Sequence, residues 1–273
     1  MLRFPALAAL LLAGLPAPLS AQSRSEQAAI DLALARGRIL FAVDRAAWVA
    51  TDDLRAKMPN FESIGLRGYV VERAGDALDV LFYGGPADAP FAFYRARVER
   101  HRIVSSEVFP ADARPALTPF QRRLVAARDA AASSTRRRPC AGTIFNTAVI
   151  PPPTADAPVL VYLLTPQTRT GEYPFGGHYR LTVAADGRVS NERAFTNSCL
   201  TMDPRRGVPV GGAPTAMVVT HLLDPVPTEI HVFNAITARM PVIVGIARPE
   251  RLYEVTGERI RLVQRSPAPR SRK

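Results

Sequence analysis

Residues 68–83, GYVVERAGDALDVLFY, decide how the chain is built. Two runs rich in β-branched and aromatic residues, Tyr69–Val71 and Leu78–Tyr83, flank Gly75-Asp76, which is the composition of two antiparallel strands joined by a tight turn. The period of two continues outward. After a loop carrying Gly84, Gly85, Pro86 and Pro90, the segments Phe91–Val98 and Ile103–Phe109 read as a third and a fourth strand.

Helical signals bracket this sheet. On its N-terminal side Ser23 and Glu26 have the spacing of a capping box, and Ile30, Leu34, Phe41 and Trp48 recur at steps of four and seven, which predicts an amphipathic helix to about Ala50, locally weakened by Gly37. Thr51, Asp52 and Asp53 then offer N-caps for a second, short helix ending before Pro59, and Trp48 reads as a core anchor. On the other side Thr118-Pro119-Phe120-Gln121 supplies an N-cap, a proline at the first helical position and a capping glutamine, ahead of an apolar face of Leu124, Val125 and Ala131. The run SSTRRRP at 133–139 ends that helix and reads as an internal boundary, its arginines suited to a helix C-terminus.

Beyond it the pattern is almost all strand: 143–150, 158–164, 178–183, 189–194, 216–222, 229–233, 242–247 and 260–263, with Asp186-Gly187 as a turn and prolines at 151–153, 225, 227 and 241 as punctuation. The expected class is α+β, with N-terminal helices, a central helix, largely antiparallel sheet and a β-rich C-terminal half. The expected organisation is a signal peptide over 1–21, an N-terminal α+β part over 22–132, a linker over 133–139, a β-rich part over 140–264 and a disordered basic tail over 265–273. A faint internal echo runs through it. Tyr94-Arg95 leads to Ser105, Glu107 and Phe109, while Tyr179-Arg180 leads to Ser190, Glu192 and Phe195, as two copies of one small unit would, with the registers slipping by a residue.

A chain of 273 residues that is 47% hydrophobic and 22% charged excludes disorder, collagen-like repeats and a multi-span membrane protein. Residues 1–21, MLRFPALAALLLAGLPAPLSA, combine an early cation, an apolar run from Phe4 to Leu15 and small residues before Ala21, the pattern of a signal peptide cleaved after Ala21. The run is shorter than the roughly 20 residues of a transmembrane helix; an uncleaved N-terminal anchor is the alternative. The expected location is periplasmic or secreted. Removing Arg3 with this segment takes the formal charge from +11 to +10, and the tail RSPAPRSRK holds four more cations, so the body carries +6. That balance points to an anionic envelope component or an acidic protein as partner, not nucleic acid.

Cys140 and Cys199 are the only cysteines, which in an oxidising compartment reads as one disulfide; a catalytic thiol is the sharper alternative. The nucleophile-elbow, phosphate-loop, dinucleotide and zinc-protease motifs are absent, and no cofactor is expected. The scarce chemistry lies in His178, His221 and His231, with Glu229 two residues before His231 and so on the same face if that segment is a strand. His221 would approach the pair across the Asp224–Pro227 turn. Two or three imidazoles with a carboxylate are zinc-ligand types, or a carboxylate-oriented base, or a hydrogen-bonded structural pair. Three function classes follow: a binding or accessory module, favoured because turns, packing and a disulfide outweigh catalytic spacing; a metal-dependent or acid–base hydrolase, favoured if His178, His221 and His231 converge; and an envelope structural or assembly protein, favoured by an exposed apolar strand edge.

Overall fold

The Ser23–Glu26 capping box forms as the spacing predicts, with the Ser23 amide donating to the Glu26 carboxylate at 3.0 Å, and it opens helix α1 (Arg24–Lys57) in a computed structural model. That structure describes residues 23–263 apart from 136, 143 and 210, and apart from the side chain of residue 62. The expected signal peptide 1–21 and the expected basic tail 265–273 lie outside the described residues.

α1 is continuous through Thr51–Asp53, so no second helix starts there. Its buried stripe is Ile30, Ala33, Gly37, Leu40, Val43, Ala47, Ala50 and Leu54, at steps of three and four. The wider-spaced stripe through Phe41 and Trp48 drifts off this face, because a heptad step falls about 20° short of whole turns. Trp48 is therefore 57% exposed rather than in the core, with the Arg45 guanidinium over its ring at 4.3 Å.

The decisive hairpin is β1 (Leu66–Ala74) against β2 (Ala77–Gly84), closed by the two-residue loop Gly75-Asp76 with Gly75 at φ +64°, a conformation that suits glycine. β3 (Phe91–Glu99) and β4 (Arg102–Val108) complete an antiparallel meander in the order β1-β2-β3-β4. Helix α2 (Pro119–Ser134) starts at the Thr118 capping box. A second meander follows, β5 (Asn146–Ile150), β6 (Val159–Leu164), β8 (Tyr179–Val183) and β9 (Val189–Ala194), interrupted by the short β7 (Tyr173–Pro174), which pairs with β10 (Thr201–Met202). Each half is thus a helix followed by a four-stranded meander. Tyr94-Arg95 and Tyr179-Arg180 both sit on the third strand of their sheet, but Arg95 faces Glu107 across its ladder whereas Arg180 faces Arg193.

Strand alternation sorts the core into two faces. Val71, Val80, Phe82, Ala148, Ile150, Tyr162 and Leu164 join α1, while Val70, Leu81, Tyr83, Val149, Val161 and Leu181 join α2. The Tyr69 hydroxyl donates to the Thr147 carbonyl at 3.0 Å and ties the first strand of one sheet to the first of the other.

The third four-stranded sheet corrects the sequence reading. β11 (Met217–His221) and β12 (Val242–Ile246) are parallel, so the segment between them must cross over, and it does so as helix α3 (Glu229–Ala238). The expected strand over 229–233 is that helix. β13 (Arg251–Val255) and β14 (Ile260–Leu262) extend the sheet antiparallel. Every residue from Glu229 to Ala235 is buried, Ile230 and Phe233 in the cluster that α1 shares with both meanders, Val232 and Ala235 in the cluster that Ile30 of α1 shares with this sheet. The expected Cys140–Cys199 bridge is present, with alpha carbons 5.4 Å apart. The fold is α+β, and no described helix is long and apolar enough to cross a membrane.

Candidate functional site

On a helix, residues two apart point to nearly opposite sides, so Glu229 and His231 do not share a face. Each is held in its own network. The Glu229 carboxylate accepts from Arg180 and, at 3.1 Å, from the Tyr162 hydroxyl. Arg36 stands close enough that burial and the like charge of Arg180 lower its proton affinity. His231 accepts the Thr228 amide at Nδ1 (2.9 Å), which caps α3 and leaves its proton on Nε2. Burial pushes its pKa down to about 3, with the neighbouring His221 adding to the fall.

His221 does approach His231: the rings meet edge to face at 4.9 Å. Its Nε2 lies 2.8 Å from Asp224, whose two oxygens both accept from Arg193 at 2.7 Å. Asp224 is held below the usual carboxylate range by these bonds, against the opposing effect of its burial. His178 is engaged elsewhere. Its Nδ1 accepts the Thr165 amide at 3.1 Å and its Nε2 faces the Pro174 carbonyl at 2.9 Å, so both nitrogens are occupied, and burial lowers its pKa to about 4. Among the described residues no group of three or more His, Cys, Asp or Glu side chains could hold a metal ion.

His178 instead frames a cleft of about 80 Å³ between α1, β5, the β6–β7 connection and α3. Asp44, half-buried on α1, lines it. One Asp44 oxygen accepts from Asn146 Nδ2 at 2.6 Å, and desolvation raises its pKa despite that bond. Asn234 on α3 lines the opposite side and donates to the Pro174 carbonyl at 2.8 Å. The disulfide secures the rim. The Cys140 amide donates to the Thr165 hydroxyl at 3.1 Å, and a Cβ at Gly177, which has φ +72°, would lie 2.6 Å from the Cys140 sulfur. A wider groove of about 300 Å³ lies over β2–β4, but its walls are the outer face of the sheet, with Arg97 closed onto Asp79 at 2.8 Å.

Asp44 escapes a reading of the sequence because a lone acid on an amphipathic helix looks solvated, and its partner Asn146 is 102 residues away.

No protein-family model matches the chain, and no curated protein matches it. Among solved structures, a crystal structure described as a candidate lipoprotein from Clostridium difficile 630 aligns with 52% of this chain and 90% of its own at 9% identity, with a TM-score of 0.19. A superposition that poor says nothing of shape or chemistry.

Proposed function

We propose that the chain is an exported binding or accessory module whose ligand enters the cleft at Asp44. One observation carries the reading. The histidines and acids that would serve a hydrolase have their partners inside the fold, whereas the cleft brings together a desolvated carboxylate and two asparagine amides with hydrogen-bonding capacity left over. Export accounts for the disulfide, and the expected mature chain begins near Gln22.

A screen of small polar molecules, followed through the side-chain amide resonances of Asn146 and Asn234, tests the cleft. Binders should move those resonances, and Thr237→Leu, which fills one wall, should abolish the response. Binding that survives the filled cleft would remove the assignment, and turnover of an ester or phosphate lost in His221→Ala would replace it with the hydrolase reading.

A second reading has its own observation. On the edge strand β11, Val218 is 64% exposed and Leu222 just beyond it 71%. Such an edge suits an envelope assembly role, with the basic tail as an electrostatic anchor to an anionic component. Co-sedimentation with anionic vesicles that is lost on deleting 265–273, or self-association lost in Val218→Lys, would favour it.

A further inference from the structure

The walls of the Asp44 cleft carry one carboxylate among neutral amides, hydroxyls and an imidazole. Asn146 Nδ2 is committed to Asp44, and Asn234 Nδ2 to the Pro174 carbonyl; both partners are pure acceptors, so both amide orientations are fixed and each Oδ1 remains. The Thr237 hydroxyl donates to the Phe233 carbonyl at 2.8 Å, and the Thr165 hydroxyl donates to the Gly177 carbonyl at 2.9 Å. The His178 Nε2 proton goes to Pro174. These side chains leave the second Asp44 oxygen, the two amide oxygens and one N–H of each amide, and Gln167 and Tyr173 add further polar lining. The one charge on that wall is negative, so a ligand that carries N–H donors and positive charge fits it best.

Resting on the cleft reading above, we propose that this site recognises a primary ammonium group carried on a short unbranched chain. The size agrees: about 80 Å³ is well below the roughly 300–1,000 Å³ of sites for drug-sized ligands and suits an ammonium with its last methylenes. Leu164 and Phe233 supply apolar wall for the methylenes, and Asp44 is the cleft's one carboxylate among the described lining residues. An ammonium has three donors for the three free oxygens, and it neutralises a carboxylate that the fold has partly desolvated. A metal ion would find only one charged ligand, too few for a hard cation that takes six to eight oxygens.

Ligand-observed and side-chain-amide NMR on the mature chain would test this with n-propylamine, ethanolamine phosphate and Nα-acetyl-lysine amide as ammonium probes. n-Propanol serves as the neutral isostere, and tetramethylammonium as a cation without N–H. A fragment of this size should bind with a dissociation constant on the order of millimolar, shifting the Asn146 and Asn234 amide resonances. Asp44→Asn should weaken it at least about tenfold, as expected for a charge-assisted bond, and circular dichroism reports whether that variant is folded. Which ammonium probe binds best separates a free amine from a headgroup or a lysine side chain. n-Propanol or tetramethylammonium binding as tightly as propylamine, or undiminished binding in a folded Asp44→Asn, would overturn the ammonium assignment while leaving the cleft. No probe moving the two amides would overturn both.

Discussion

Gly37 shows how one residue sets the distance between two helices. It lies mid-α1, where glycine costs about 1 kcal/mol of helix propensity relative to alanine. A Cβ there would meet the Val232 Cβ at 2.5 Å and the Glu229 carbonyl oxygen at 2.9 Å, so α1 and α3 cross at near-backbone contact. Gly37→Ala should therefore destabilise by roughly 1–3 kcal/mol, overpacking outweighing the propensity gain, measured as a fall in the urea midpoint. A rise would mean that the crossing relaxes without cost.

The buried imidazoles give the molecule a directional pH response. His178 and His231 have pKa values lowered by burial to about 4 and about 3, so the unfolded chain binds their protons first as pH falls. Their contribution is complete above the unfolded value near 6.5 and is lost downward from it, at up to about 1.4 kcal/mol per pH unit for each histidine. Asp44, with its raised pKa, works in the opposite direction, and Asp53 and Asp224, with lowered values, act in the same sense as the histidines but only at lower pH. Stability should thus fall between pH 6.5 and 5, and His178→Gln should flatten that slope. An unchanged slope in the variant would place the response on other groups.

At the scale of elements, α3 is held by its first turn. The Arg180–Glu229 pair, with Tyr162 as second donor, joins the helix start to β8 in a buried setting. Breaking such a pair leaves an uncompensated charge and costs about 3–5 kcal/mol, whereas replacing both members with apolar groups can be near neutral. Glu229→Leu should destabilise by that amount and Glu229→Leu with Arg180→Met by much less, read from chemical denaturation. Equal losses in the single and double variants would show that the polar network itself is required.

The same helix marks where reading by period stops. The β1–β4 meander and the two capping boxes were legible because half-buried strands alternate and caps are local chemistry. α3 carries Ile230, Val232, Phe233 and Ile236, strand-forming types, and its first seven residues are buried on all sides, so no polar face exposes the 3.6 period. The one local signal it carries is Thr228 after Pro227, the N-cap of the helix in the structure. The candidate site was half legible in the same way. His178 stood out as rare, but its role as a strut, and the cleft it frames, depend on Asp44, Asn146 and Asn234 arriving from three distant elements.

At the scale of the molecule, the question is whether the two helix-plus-meander units are separable at residues 133–139. Their cores are interleaved. α1, which opens the first unit, shares a cluster with Ala148, Ile150, Tyr162 and Leu164 of the second sheet, and α2 packs on Val70, Leu81 and Tyr83 of the first as well as on Val161 and Leu181 of the second. Each sheet would lose part of the cover on both faces if its partner left. Burial of shared apolar surface at roughly 25 cal/mol per Å² couples the two unfolding reactions more strongly than the marginal stability of either half would resist. The disulfide lies wholly on the C-terminal side and closes a loop of 59 residues, stabilising by about 4 kcal/mol in the chain-entropy model without linking the halves. The oxidised chain should therefore unfold in one calorimetric transition, with van't Hoff and calorimetric enthalpies equal, and reduction should lower its midpoint while keeping the transition single. Fragments cut at 133–139 should fail to fold alone. Two resolved transitions, or a folded fragment 23–132, would make the halves independent domains that merely share a surface.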